Sequence, residues 1–136
     1  MSLIVFSEKM RNGVAEMDAQ HHTLIEIINQ LYKIALGRTE RDALYQVFEE
    51  LAAYLAEHLA YEEKLFADTN YPGSAAHKAS HDILRKKVAD FGACNKSGKE
   101  MILALELLHF LKQWLASHIM TEDKKACAYL NELGIY

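Results

Sequence analysis

Four apolar stripes, each stepping by three and four residues, run through this chain, and each carries imidazole where a core residue belongs. The first reads Met17, His21, Leu24, Ile28, Leu31, Ala35, and the second Leu44, Phe48, Leu51, Leu55, His58, Glu62, Leu65. The third reads His77, His81, Leu84, Val88, Phe91, and the fourth Met101, Ala104, Leu108, Leu111, Leu115, His118. Such spacing keeps side chains on one face of a helix, so each stripe predicts a helix with one buried face. Helix breakers are scarce, with proline only at Pro72 and six glycines, and they separate the stripes. A first helix is expected from Asp18, a plausible N-cap, to Leu36, stopping at Gly37. A second covers Glu40 to Asp68. The turn Thr69–Ser74 leads into a third, Ala75 to Phe91, capped by Ser74. Gly92 to Gly98 breaks the chain, and a fourth helical segment runs from Lys99 to Leu133. Short links between long amphipathic helices make neighbours antiparallel. The expected fold is all-α, an antiparallel up-down-up-down four-helix bundle with an N-terminal arm over residues 1–17.

With 136 residues, 51% of them apolar, the chain can bury the core of one domain but not of two comfortable ones. Its formal charge of −4 offers no basic footprint, which argues against nucleic acid and anionic membranes as partners. The apolar run Leu3–Phe6 is too short for a signal-peptide core, and no segment approaches the roughly 20 residues of a membrane span. A cytoplasmic location is therefore expected. Cys94 and Cys127 form no C-x-x-C pair and are expected to be reduced thiols.

Up-down alternation brings His21, His58, His77, His81 and His118 to the same end of the bundle. Residues four apart lie about 40° apart around a helix axis, so His58 and Glu62 share a face, as do His77 and His81. Unpaired buried polar groups cost about 1–3 kcal/mol each, so five imidazoles and a carboxylate on core faces point to a metal centre. Imidazole suits iron, zinc or copper alike, so ligand type alone does not choose the metal. Asp123 follows His118 by five residues, about 140° on an ideal helix. Both reach one site only if the helix is irregular between them, and the Ser117 and Thr121 hydroxyls could support such a change.

The set Asp18-Ala19-Gln20-His21, His58-x3-Glu62, His77-x3-His81 and His118-x4-Asp123 resembles the hemerythrin family in its bacterial single-domain form. The resemblance runs over nearly the whole chain, including Gly13 and Ala15-Glu16-Met17-Asp18, and implies one hemerythrin-like domain over 1–136. It implies a non-haem di-iron centre that binds O2 reversibly, as an oxygen carrier, store or sensor and not as an enzyme. Carried over, His77, His81 and His118 would hold one iron, and His21 and His58 the other. Glu62 and Asp123 would bridge them, with a solvent-derived oxygen completing the bridge. These ligands fill all but one position of two six-coordinate ions, leaving an opening on the ion with two histidines. Leu24, Leu59, Trp114, Leu115 and Ile119 are expected to line that opening as an O2 pocket.

Two rival functions share the same residues. One is a di-iron enzyme acting on peroxide, nitric oxide or ferrous iron. The other is a zinc-binding or structural bundle serving as an interaction module. The histidine-rich ligand set differs from di-iron carboxylate oxidases, which use paired Glu-x-x-His motifs absent here. His22 and His109 lie off the stripes and are expected at the surface. Tyr54, Tyr61, Tyr71 and Tyr129 are candidates to hydrogen-bond groups behind the ligands. A monomer or small homo-oligomer is expected. Phe6 and Met10 stand where bacterial relatives often carry tryptophan and another aromatic, which bears on how the arm packs.

Overall fold

The computed structural model describes residues 2–37, 41–93 and 100–136. A 3-10 turn at Glu8–Met10 precedes α1 (Ala15–Gly37), α2 (Arg41–Asp68), α3 (Ser74–Ala93) and α4 (Glu100–His118). A π-helical turn, Ile119–Asp123, then joins α4 to α5 (Lys124–Glu132) without a break. Helices α1 and α2, α2 and α3, α3 and α4, and α4 and α1 are packed neighbours, which closes a four-membered bundle. Ring contacts fix the directions. Phe48, early in α2, meets Phe91, late in α3, at 4.4 Å between centroids. His81, early in α3, meets His118, at the end of α4, at 5.1 Å.

The expected stripes are largely the buried faces. All six residues of the α1 stripe are buried, as are Ala104, Leu108, Leu111, Leu115 and His118 of α4. Three positions differ. Leu65 is half-buried, and Phe66 beside it is 1% exposed and takes the last core position of α2. Val88 and Met101 are likewise half-buried.

The start of α1 also departs from expectation. The helix begins at Ala15, so Asp18 sits within its first turn and is not its N-cap. Its carboxylate instead reaches back, accepting the Asn12 N–H at 2.7 Å and the Gly13 N–H at 3.2 Å. Gly13 has φ +100°, a left-handed conformation that a side chain would strain. A Cβ there would also stand 3.0 Å from Asn131 Oδ1. Ser74 likewise lies inside α3 as its first residue, with the Gly73 carbonyl accepting the His77 N–H.

Ahead of this point the arm is clamped along α1 by Asn29. Its Oδ1 accepts the Leu3 and Ile4 N–H groups, and its amide donates to the Ile4 carbonyl at 2.8 Å. Met10 is buried in the core, and Phe6 packs edge-on against His22 at 5.2 Å. Helix α2 ends at Asp68, and just beyond it the φ of 55° at Asn70 lets the Tyr71 N–H return to the Phe66 carbonyl. Among the described residues no helix is long and apolar enough to cross a membrane. Cys127 is a buried free thiol, with Sγ 3.5 Å from Met17 Sδ, and Cys94 lies outside the described residues.

Candidate metal centre

The core is two apolar clusters separated by a polar layer. The larger contains Leu24, Leu59, Leu115 and Ile119, and the smaller Val14, Met17, Phe66, Ala126, Cys127 and Leu130. Along α1 the change falls at His21, along α2 at Glu62, and after α4 at Asp123. Water is thus excluded above and below this layer, and the groups within it must satisfy one another.

All seven expected ligand residues meet there, and each is 6% exposed or less. The two carboxylates divide their oxygens between two imidazole groups. Glu62 Oε1 lies 3.2 Å from both His77 and His81 Nε2. Its Oε2 lies 3.1 Å from His21 Nε2 and 2.9 Å from His58 Nε2. Asp123 Oδ1 lies 2.9 Å from His77 Nε2 and 3.1 Å from His118 Nε2, while Oδ2 lies 3.1 Å from His21 Nε2. Among the described residues, imidazoles are the only ionic partners of these two acids.

The π turn makes this possible. Its wider coil lets residues five apart align as four apart do on an α-helix, so Asp123 follows His118 onto the same face. The Thr121 hydroxyl donates to the Ser117 carbonyl at 2.6 Å within the turn. The expected irregularity is therefore present, and Thr121 rather than the Ser117 side chain supports it.

Charge in the layer is mutually supported. Burial pushes the His21 and His77 imidazoles down, but Asp123 and Glu62 more than offset it and raise both to about 9. Burial likewise works to raise Glu62, and His58, His21 and His77 overcome it and hold this carboxyl well below the usual range. Asp123 is raised by burial and by Glu62, and lowered further by His118, His21 and His77, so its net direction is down.

Protein partners alone leave the layer incompletely satisfied. His81 Nε2 and both oxygens of Asp123 are buried without an aligned hydrogen-bond partner. These atoms nonetheless face other donor atoms at metal-site spacing. With bonds of about 2.1 Å, adjacent ligand atoms on an octahedral ion stand about 3.0 Å apart. The donor set fits cations. Glu62, His77, His81, His118 and Asp123 form one group that could hold an ion, and His21, His58 and Glu62 another.

Behind the imidazoles lie groups the sequence did not single out. His58 Nδ1–H donates to Gln20 Oε1 and His81 Nδ1–H to Glu63 Oε2, both at 2.8 Å. His118 Nδ1 is 3.2 Å from the Ser80 hydroxyl and 2.7 Å from Glu122 Oε2. The available signal was adjacency, because each neighbours a ligand residue in sequence or stands four residues along from one. Of the tyrosines, Tyr129 donates to the Thr69 carbonyl at 2.7 Å and ties α5 to the α2–α3 turn. Tyr54 lines a cleft of about 220 Å³ that reaches His58. Trp114 stacks on His118 at 4.5 Å and borders a second cleft, of about 400 Å³. His22 and His109 are exposed, outside the site.

Fold and layer together define a helical bundle with a buried histidine and carboxylate centre suited to metal. Comparison with known proteins makes this specific. The family model described as the hemerythrin HHE cation binding domain matches residues 12–130. The chain is 32% identical to a bacteriohemerythrin of Stenotrophomonas maltophilia, over 98% of this chain and 88% of that one. It is 34% identical to a hemerythrin-like protein of Naegleria gruberi, over 83% of this chain and 82% of the relative. A crystal structure of a single-site hemerythrin mutant superposes with a TM-score of 0.81 at 26% identity, covering 93% of this chain and 98% of the other. The protein belongs to the hemerythrin family.

Proposed function

We propose that this protein binds O2 reversibly at a centre of two iron ions, acting as a carrier, store or sensor rather than as an enzyme. The observation that carries the reading is the division of each carboxylate. One oxygen of Glu62 and one of Asp123 face His77, with His81 or His118, and the other oxygens face His21, that of Glu62 facing His58 as well. In this reading His77, His81 and His118 would hold one ion and His21 and His58 the second, with Glu62 and Asp123 shared between the two. The half with two histidines would offer fewer protein donors and so leave room for O2. When bound, the irons would supply the electrons that reversible O2 binding draws on.

The protein's own residues do the rest. Leu24, Leu59, Leu115 and Ile119 are 3% exposed or less, and they keep bulk water from the open side. Trp114, expected in the same lining, is stacked on the His118 ring of the three-histidine half, at an interplanar angle of 12°. A dry, apolar lining disfavours charge separation and so favours release of O2 unchanged. The names of the related proteins, bacteriohemerythrin and hemerythrin-like protein, agree with this reading.

The test is a visible spectrum of the anaerobically reduced, iron-loaded protein before O2, after O2 and after purging, with metal analysis alongside. Charge-transfer bands that appear with O2 and vanish on purging are expected, with two irons per chain. Steady turnover of peroxide, nitric oxide or ferrous iron would favour an enzyme instead. Zinc as the bound metal would favour a structural module.

A further inference from the structure

The groups behind the imidazoles differ between the two halves of the centre. On the three-histidine side, Glu63 Oε2 accepts from His81 Nδ1–H, and Arg85 holds the same oxygen at 2.7 Å. Glu122 Oε2 stands 2.7 Å from His118 Nδ1. On the two-histidine side, His58 Nδ1 meets a neutral amide oxygen, that of Gln20, and His21 Nδ1 is buried without a partner. One half is backed directly by carboxylates, whereas behind His58 the carboxylate of Glu16 stands one group further back, accepting from the Gln20 amide at 3.0 Å.

We propose that Glu63 and Glu122 are positioning residues that make the half-site of His77, His81 and His118 take its ion first and hold it more tightly. The inference rests on the two-ion reading above. A carboxylate behind an imidazole fixes the ring's tautomer and orientation and strengthens the opposite nitrogen as a donor. A neutral amide fixes the tautomer but adds no charge. Glu63 carries the larger share, because its side chain is 21% exposed and pinned by Arg85, whereas Glu122 is 47% exposed and screened by solvent.

Three imidazoles against two would favour the same half without any help from Glu63, so the test must isolate the backing groups. The metal-free protein is titrated anaerobically with cobalt(II) in a calorimeter, with circular dichroism confirming that each variant is folded. Two binding steps are expected. Glu63→Gln weakens the tighter step by about 10–100-fold, the usual worth of such a partner, and leaves the weaker step in place. Glu122→Gln acts in the same direction by less.

Gln20→Glu, made together with Glu16→Gln because Glu16 accepts from the Gln20 amide at 3.0 Å, supplies a carboxylate directly behind His58 and tightens the weaker step, a gain that a folding defect cannot produce. Glu50→Gln, exposed on α2 about two turns before His58, leaves both steps unchanged and controls for distant charge. If Glu63→Gln alters both steps equally or neither, or the double variant fails to tighten the weaker step, the inference is overturned and the two-ion reading stands. If Glu63→Gln does not fold, the double variant decides alone. Fewer than two cobalt ions bound to the unmodified protein would overturn the two-ion reading itself, and the inference with it.

Discussion

Raising the pH should unfold the metal-free protein more easily, and the structure gives the size of the effect. His21 and His77 sit among Glu62 and Asp123, which raise each imidazole from 6.5 to about 9 despite burial. At about 1.4 kcal/mol per pH unit, that rise corresponds to about 3 kcal/mol of folding stability for one imidazolium. The two share the same carboxylates, so their contributions do not add in full. A folded-state value above the unfolded one stabilises fully below about pH 6.5, and this stability is lost as the pH climbs through about 9. Domains of this kind are stable by about 5–15 kcal/mol, so the loss is a sizeable fraction.

Urea unfolding followed by helical circular dichroism, in chelator at pH 6.5, 7.5, 8.5 and 9.5, measures the loss directly. With a slope of about 1–3 kcal/mol per molar urea, the midpoint should fall by about 1–3 M across that range. Metal-loaded protein should behave in the opposite sense. Ligand imidazoles must be neutral, so metal displaces those protons and stabilises more as the pH rises. A metal-free midpoint that stayed level or rose between pH 6.5 and 9.5 would refute the assigned proton load of the layer.

Other expectations follow from single features. Deleting exposed Met120 should return the π turn to α-helical register, leaving the aspartate four residues after His118 and about 40° around the axis. Metal content by atomic emission should then be retained, and its loss would show that the π geometry itself is required. Leu111→Ala, at a fully buried position above the polar layer, should cost about 3 kcal/mol in denaturant titrations while leaving the metal spectrum unchanged. His22→Ala and His109→Ala should keep full metal content, whereas Glu62→Ala should lower metal affinity at least about tenfold in competition with a chelator. Metal loss in the His22 variant would overturn the ligand assignment.

The N-terminal arm shows how far local reasoning reaches. A cap at Asp18 is a sound inference from residue type, since a short carboxylate accepts orphan N–H groups. The carboxylate does accept such groups, but those of Asn12 and Gly13, because the chain turns back at Gly13 under Asn131. That constraint comes from a residue 118 positions away. Asn29, which clamps the arm, is equally silent in sequence, being a polar residue on a long helix.

The four helices, the turn between α2 and α3 and the set of seven converging residues were legible in the sequence, whereas the breaks after Gly37 and beyond Ala93 lie outside the described residues. Helical periodicity is a local property, and imidazole on an apolar face is conspicuous because burying it without a partner is costly. The five-residue step from His118 to Asp123 even required an irregular turn. Tertiary structure alone decided that this turn is a π-helix, that Phe66 and not Leu65 completes the core, and which carboxylate oxygen faces which imidazole. It also selected Gln20, Ser80, Glu63 and Glu122 as the groups behind the ligands. Periodicity fixes the angle of a side chain about its own axis. How far each helix is rotated and slid against its neighbours depends on the packing of all four, and only that packing brings these atoms within bonding distance.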